Sequence, residues 1–314
     1  FRIAILFLEK CMSGKDIIHI FKGLLPDERL LSDVDMKRLT TFRIGGPADV
    51  VAEAQNGEEI ACLIRAARGA GVPFVVLGNG SNVLVRDKGF RGLVIRINSA
   101  MSNVKAEGNI VRAQAGITLS ALARFLAAGA LAGFEFASGI PGCLGGGIYM
   151  NAGAYNGEIG NLVREVSFID EQSRLVKFNQ AEMKFSYRHC ALSEREVVIT
   201  EACLELEQGD SKQIEQMLRD YTRRRKERQP LEYPSAGSMF KRPEGAYAAA
   251  LIDQAGLKGM RVGDACISEK HAGFFINLGG ATAEQMLELV QKTQEIVYGR
   301  TGIMLCPEVR IIGE

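Results

Sequence analysis

Gly78, Asn79, Gly80, Ser81 and Asn82 form a short polar loop between the apolar runs of VLGNGSNVLV, residues 76–85. Glycines let backbone N–H groups approach a ligand, and successive N–H groups form a concave nest for an anion. The chemistry such a loop suits is the holding of a pyrophosphate. A dinucleotide fingerprint G-x-G-x-x-G would next require glycine at position 83 and a helix. Position 83 is Val83, and the loop runs into the strand-like VLV and GLVIRI. A tight glycine turn between two strands is an alternative of equal weight.

Three further stretches carry residues with chemical potential. GIPGCLGGGIYMNAGAYNGEIG, residues 139–160, holds eight glycines. That density removes side chains where a large planar ligand could meet backbone. A flexible loop is the alternative, and the packed character of Ile148-Tyr149-Met150 speaks against it. In YPSAGSMFKRP, Ser238 follows a proline-bounded turn. No G-x-S-x-G elbow surrounds it, and His19, His189 and His271 stand in no triad context, so a hydrolase nucleophile is not supported. In the final CPEVR stretch, Ile303, Leu305, Val309 and Ile311 alternate onto one face of a strand, with Cys306, Glu308 and Arg310 on the other. Pro307 marks an edge strand. Glu308 then lines a cleft or faces water, and the spacing alone favours water.

These residues need a scaffold, and the hydrophobic pattern supplies one. ADVVAEA (48–54) is strand-like. EEIACLIRAARGAG follows with Ile60, Leu63, Ile64 and Ala67 at helical spacing and Gly71 as a stop. PFVVLG is a second strand, which completes one β-α-β unit. From Gly92 the pattern is mostly strands, with hairpins expected at NVKAE/NIVRAQAG and REVSFID/RLVKFN and a long strand in REVVITEACLELE. Thr118 caps a helix with Leu119, Leu122 and Leu126 in one stripe. SKQIEQMLRDYTRRRKERQ is a helix whose far end carries Arg223, Arg224, Arg225, Lys226 and Arg228. A helix near 247–255, a strand GFFINL, a helix over 282–298 and the last strand complete the chain.

Composition narrows the function classes. Net charge is +1, and the one basic run near Arg223 is short, so nothing points to nucleic acid. The 35 glycines follow no repeat. Seven cysteines are scattered without a C-x-x-C pair, which argues against zinc and for a reducing, cytoplasmic compartment. The apolar residues 1–11 are too few to span a bilayer, so no membrane insertion is expected, and Met12 fits the natural start.

TTFRIGGPADV, VLGNGSNVLV, GIPGCLGGGIYMNAGAY, FSYRHC, YPSAGSMFKRP, LKGMRVG and PEVRIIG, in this order and spacing, closely resemble the UDP-N-acetylenolpyruvoylglucosamine reductase family of bacterial peptidoglycan synthesis. The resemblance covers about residues 38–314, and seven ordered motifs make it specific. No tyrosine-bearing insertion precedes YPSAGS, as in the shorter, type II form of the family. The resemblance implies an α+β chain. Its two-domain FAD-binding fold would be of the vanillyl-alcohol-oxidase/p-cresol-methylhydroxylase type, followed by a C-terminal α+β substrate-binding domain. The expected division is an N-terminal extension and helix over 1–30, FAD subdomains over 31–90 and 91–208, and the substrate domain over 209–314.

The phosphate in question would be that of non-covalently bound FAD, with NADPH as co-substrate. Gly78, Asn79, Gly80, Ser81 and Asn82 would cradle its pyrophosphate. Pro141, Gly142, Gly145, Gly146, Ala152 and Gly153 would form the second wall. Arg188, Ser238 and Glu308 match the family's catalytic set. Tyr155, Tyr187 and Lys258 match substrate positions, and the Arg225/Lys226 region would meet the substrate diphosphate. Cys190, Gly147 and Cys306 depart from the family's usual serine, alanine and acid without removing a catalytic residue. The implied reaction passes hydride from NADPH through FAD to C3 of UDP-N-acetylglucosamine enolpyruvate and a proton to C2, giving UDP-N-acetylmuramate. Arg188 would stabilise the enolate-like charge, Glu308 would polarise the carboxyl group, and Ser238 would protonate C2. The resemblance also implies a cytoplasmic monomer. The competing readings are an alcohol oxidase of the same flavin fold and a non-catalytic nucleotide-sugar binder.

Overall fold

A computed structural model describes residues 14–314. The expectations for residues 1–11 lie outside the described residues. Three sheets of four or five strands organise the rest. The first runs in the order β1 (Leu30–Asp35), β2 (Pro47–Ala54), β5 (Phe90–Ile97), β3 (Phe74–Leu77). Helix α2 (Gly57–Gly69) links β2 to β3. It starts because Asn56 Oδ1 accepts from Glu59 N–H, and it buries Ile60, Leu63, Ile64 and Ala67 on the sheet side.

The expected β-α-β unit is present but opened, since β5 lies between β2 and β3 and pairs parallel with both. The run Leu93–Ile95 is wholly buried, and a strand apolar on both faces belongs inside a sheet. β5 thus begins at the expected 90/91 division and pairs within the first sheet.

The second sheet is antiparallel, in the order β12 (Leu175–Asn179), β11 (Val163–Ile169), β13 (Val198–Glu205), β7 (Ile110–Gln114), β6 (Val104–Glu107). Its inner face carries Val111, Val166 and Phe168, in one core with the α2 side chains. Its outer face carries Arg112, Glu165, Lys177 and Glu201 in cross-strand ion pairs. Helix α3 (Leu119–Ala128) closes this core, capped by Thr118 as expected.

The third sheet orders β15 (Ser235–Ser238), β18 (Phe274–Asn277), β17 (Ala265–Ile267) and β16 (Arg261–Val262). With α7 (Ala248–Gln254) and α8 (Ala283–Thr301) it builds a separate core around Ile252, Phe275, Met286 and Leu289. Helix α6 (Ser211–Arg228) was expected to open this unit. It lays Leu218 and Tyr221 against the first core.

Three ties clamp the third unit onto the first. Asp87 accepts from the N–H groups of Ala283 and Glu284 at 2.8 and 2.9 Å, capping α8 from outside. Asn277 Nδ2 donates to the carbonyls of Phe42 and Arg43. β19 (Arg310–Ile312) pairs parallel with β4 (Val83–Val85), next to the glycine loop. The strand expected over the last residues is shortened to these three, and Ile311, expected on the apolar face, is exposed.

Candidate active site

A cavity of about 1630 Å³ opens where the three sheets converge. Ligand pockets commonly hold ~300–1,000 Å³, so this one has room for two ligands at once. The 78–82 loop lines one wall and the 139–155 stretch another. Gly80 adopts φ +58°, and a Cβ there would lie 2.4 Å from the Leu39 carbonyl oxygen, so no other residue fits. Among the described residues, the N–H groups of Gly80, Ser81 and Asn82 donate to no protein acceptor. Beside them the buried Thr40 Oγ1 has no partner either. Buried polar groups are nearly always satisfied, and this cluster leaves free donors suited to a ligand with several acceptor oxygens. Asn79 Nδ2 donates to Pro141 O at 3.1 Å and joins the two walls.

The glycines of the second wall line the cavity, and several also meet protein closely on the other side. A Cβ on Gly145 would come within 2.9 Å of Ala115 Cβ, one on Gly147 within 2.7 Å of Ile159, and one on Gly153 within 2.5 Å of the Gly157 carbonyl. These serve packing inside the protein. Only Gly146 in this run has open space where a side chain would be. Cys143 is buried in the same wall, and burial pushes its thiol pKa up, so the sulfur stays a protonated, poor nucleophile.

Residues 188, 238 and 308 are far apart in the chain and meet at this cavity. Arg188 occupies the corner of a tight turn closed by His189 N–H donating to Ser186 O at 3.1 Å. Its backbone is left-handed, φ +54°. Its Nε donates to Glu308 Oε1 at 2.8 Å, Nη2 to Gly153 O at 3.1 Å and Nη1 to Asn151 O at 3.5 Å. Glu308 faces the cavity, not water as spacing favoured. Burial holds its pKa above the usual carboxylate range, although the Arg188 and Lys241 charges pull it down. Its N–H donates to Met239 O at 2.8 Å, while Asn82 Nδ2 donates to its carbonyl. Ser238 ends β15 immediately before Met239 and is exposed to the cavity. The backbone of the glutamate is thus fixed to both the serine strand and the anion loop.

The cavity rim holds Tyr155, Tyr187 and Arg225 of the remaining candidates. Tyr155 stacks on Tyr221 with centroids 4.2 Å apart. Tyr187 OH accepts from Arg242 N–H at 3.1 Å. Lys258 does not line the cavity: its Nζ pairs with Asp253 at 2.7 Å. Of the Arg225/Lys226 pair, only Arg225 turns into the cavity, and burial lowers its pKa. Sequence reasoning missed Thr40, Asn151 and Arg242, and it passed over His271. His271 lines the cavity, its Nδ1 accepts from Gly273 N–H, and burial lowers its pKa, which keeps the ring neutral. Thr40, Asn151 and Arg242 lie within the motifs TTFRIGGPADV, GIPGCLGGGIYMNAGAY and YPSAGSMFKRP, which was the signal for them, whereas His271 lies outside every motif.

Residues 48–179 match the family model of an FAD binding domain. Residues 229–312 match that of the UDP-N-acetylenolpyruvoylglucosamine reductase C-terminal domain. The UDP-N-acetylenolpyruvoylglucosamine reductase of Caldanaerobacter subterraneus subsp. tengcongensis is 46% identical over 298 residues, 95% of this chain and 98% of that protein. The chain belongs to the UDP-N-acetylenolpyruvoylglucosamine reductase family. The reductase of Clostridium novyi is 44% identical over 95% of this chain and 97% of its own length. The crystal structure of the reductase from Thermus caldophilus superposes with a TM-score of 0.78 at 35% identity, covering 89% of this chain and 98% of that one.

A reductase of this family is an FAD-dependent oxidoreductase, and the expected α+β chain with an FAD-binding half and a C-terminal reductase domain is the one found. The unsatisfied N–H groups of the 80–82 loop and the orphan Thr40 hydroxyl fit the cofactor's pyrophosphate. Among the described residues, no helix is long and apolar enough to cross a membrane.

Proposed function

We propose that this reductase uses NADPH to convert UDP-N-acetylglucosamine enolpyruvate to UDP-N-acetylmuramate, a step of peptidoglycan synthesis, with Arg188, Glu308 and Ser238 acting on the enolpyruvyl group. The observation that carries this reading is the 2.8 Å contact between Arg188 and Glu308 in the wall of the cavity that Ser238 also lines. Bound FAD supplies a two-electron relay from NADPH to C3 of the enol ether. Gly78, Asn79, Gly80, Ser81 and Asn82 hold its pyrophosphate. The backbone of Pro141, Gly142, Gly145, Gly146, Ala152 and Gly153 walls it in.

The chain's own groups handle the charge and the proton. Addition at C3 drives negative charge through C2 into the substrate carboxylate. Arg188 carries five N–H donors, three of them committed to Glu308, Gly153 and Asn151, which leaves two for that carboxylate. Glu308 aligns the guanidinium through Nε and polarises the same carboxyl group. Ser238 delivers the proton to C2: the enolate is basic enough to take it from a hydroxyl in reach. Tyr155, Tyr187 and Arg225 contact the nucleotide-sugar, Arg225 at its diphosphate. Lys258 reaches the substrate by releasing Asp253.

The absorption spectrum tests this reading. The purified protein is expected to be yellow, to bleach with NADPH, and to regain colour with UDP-N-acetylglucosamine enolpyruvate but not with a simple alcohol. Heat or acid precipitation should send all the colour to the supernatant, since the Cys143 thiol is buried and protonated. Persistence of the yellow form under NADPH would sink the proposal, and colour in the pellet would sink its non-covalent part.

The raised pKa of Glu308 adds a stability prediction. Because the folded chain holds this proton more tightly than the unfolded chain, its contribution is complete at acid pH and is lost as pH rises through the raised value. Glu308→Gln cannot lose it. The melting temperature of Glu308→Gln minus that of the natural chain should therefore grow from about pH 4 to about pH 8, while turnover falls about 10²-fold. A difference that shrinks with pH would mean that Arg188, not burial, governs the carboxyl group.

A further inference from the structure

We infer that Asn151 is a positioning residue for Arg188. The inference rests on the role proposed above for that arginine. Asn151 is 1% exposed in the glycine-rich wall, and its whole amide is committed to protein. Oδ1 accepts from Gly160 N–H at 2.9 Å, and Nδ2 donates to Glu158 Oε2 at 3.0 Å and to Ser186 O at 2.9 Å. Its backbone carbonyl accepts from Arg188 Nη1. Ser186 O is also the acceptor that closes the turn on which Arg188 stands. Asn151 therefore grips Arg188 at both ends: its side chain holds the turn, and its carbonyl meets the guanidinium.

The grip matters because the turn is strained. Arg188 holds φ +54°, a conformation that a residue with a Cβ keeps only where its surroundings impose it. Asn151 is itself left-handed, φ +40°, which asparagine tolerates better than other side chains. Only a carboxamide offers two donors and an acceptor in one plane. Aspartate, of the same shape, would set a carboxylate against Glu158 and the Ser186 carbonyl. Without the Ser186 contact the turn can relax, and the guanidinium shifts relative to the carboxylate it must meet.

The test follows single turnovers of the FAD-loaded chain by colour. Asn151→Ala and Asn151→Gly should retain flavin and bleach with NADPH within about threefold of the natural rate, because that half needs no enolate stabilisation. Recolouring by the enolpyruvyl substrate should slow about 10²-fold, the order of loss for a group displaced by an ångström. Asn151→Ala combined with Arg188→Ala should be no slower than Arg188→Ala alone, since the first change acts through the second residue. Losses that multiply in the double variant, or equal slowing of both halves, would overturn the inference. So would failure of both replacements to fold or hold flavin, which assigns Asn151 to wall architecture. Arg188→Ala alone separates the two claims. If it recolours normally, the role of Arg188 fails; if it is slow while Asn151→Ala is fast, only the Asn151 inference fails.

Discussion

Ser238→Ala is expected to fold, bind FAD and bleach with NADPH at nearly the natural rate, then to recolour with the enolpyruvyl substrate about 10³-fold more slowly. The hydroxyl is proposed to act on C2 alone, and no proton is needed there while NADPH is being consumed. Ser238 lies at the exposed end of β15, where its loss removes no buried volume. An interaction made only in one transition state lowers turnover without changing substrate affinity. In heavy water the natural enzyme should place deuterium at C2, and deuterated NADPH should label C3. A variant that turns over like the natural chain would show that Ser238 merely braces the turn before Met239. Equal loss in both halves would point to a damaged cavity.

Arg188→Lys is expected to cost about 10²- to 10³-fold in turnover despite keeping the charge. Lysine is a point charge and cannot bond Glu308, Gly153 and Asn151 in one plane while presenting two parallel N–H groups to a carboxylate. Its ammonium would be drawn to the half-buried Glu308, which also feels the charge of Lys241. The measurement is kcat and KM for the enolpyruvyl substrate beside the rate of bleaching by NADPH. The loss should appear in kcat with bleaching preserved. A variant that keeps kcat and loses only substrate affinity would reduce Arg188 to a binding residue.

Much of the local architecture was present in the sequence. Asn56, Thr118 and Thr282 cap the helices that follow them, and the apolar spacing of Ile60, Leu63, Ile64 and Ala67 marks the buried face of α2. These are contacts between residues three or four apart, so a single segment decides them. The ordered motifs likewise pointed to a flavin reductase, since a glycine such as Gly80 is demanded by its own φ and leaves a visible mark in the chain.

Only the tertiary structure decided how these segments face one another. β5 joins the first sheet because its run is buried on both sides, and the sheet offers it two partners distant in sequence. Helix α6 sides with the first core by the fit of Leu218 and Tyr221 to its surface. Glu308, on a segment whose alternation favoured water, is half-buried at the cavity because Met239 and Asn82 hold its backbone there and Arg188 offers a partner. Asn151 gained its place from Gly160, Glu158 and Ser186, whose positions depend on the folded wall. Burial and partner choice are sums over residues far apart in the chain, so no local pattern contains them.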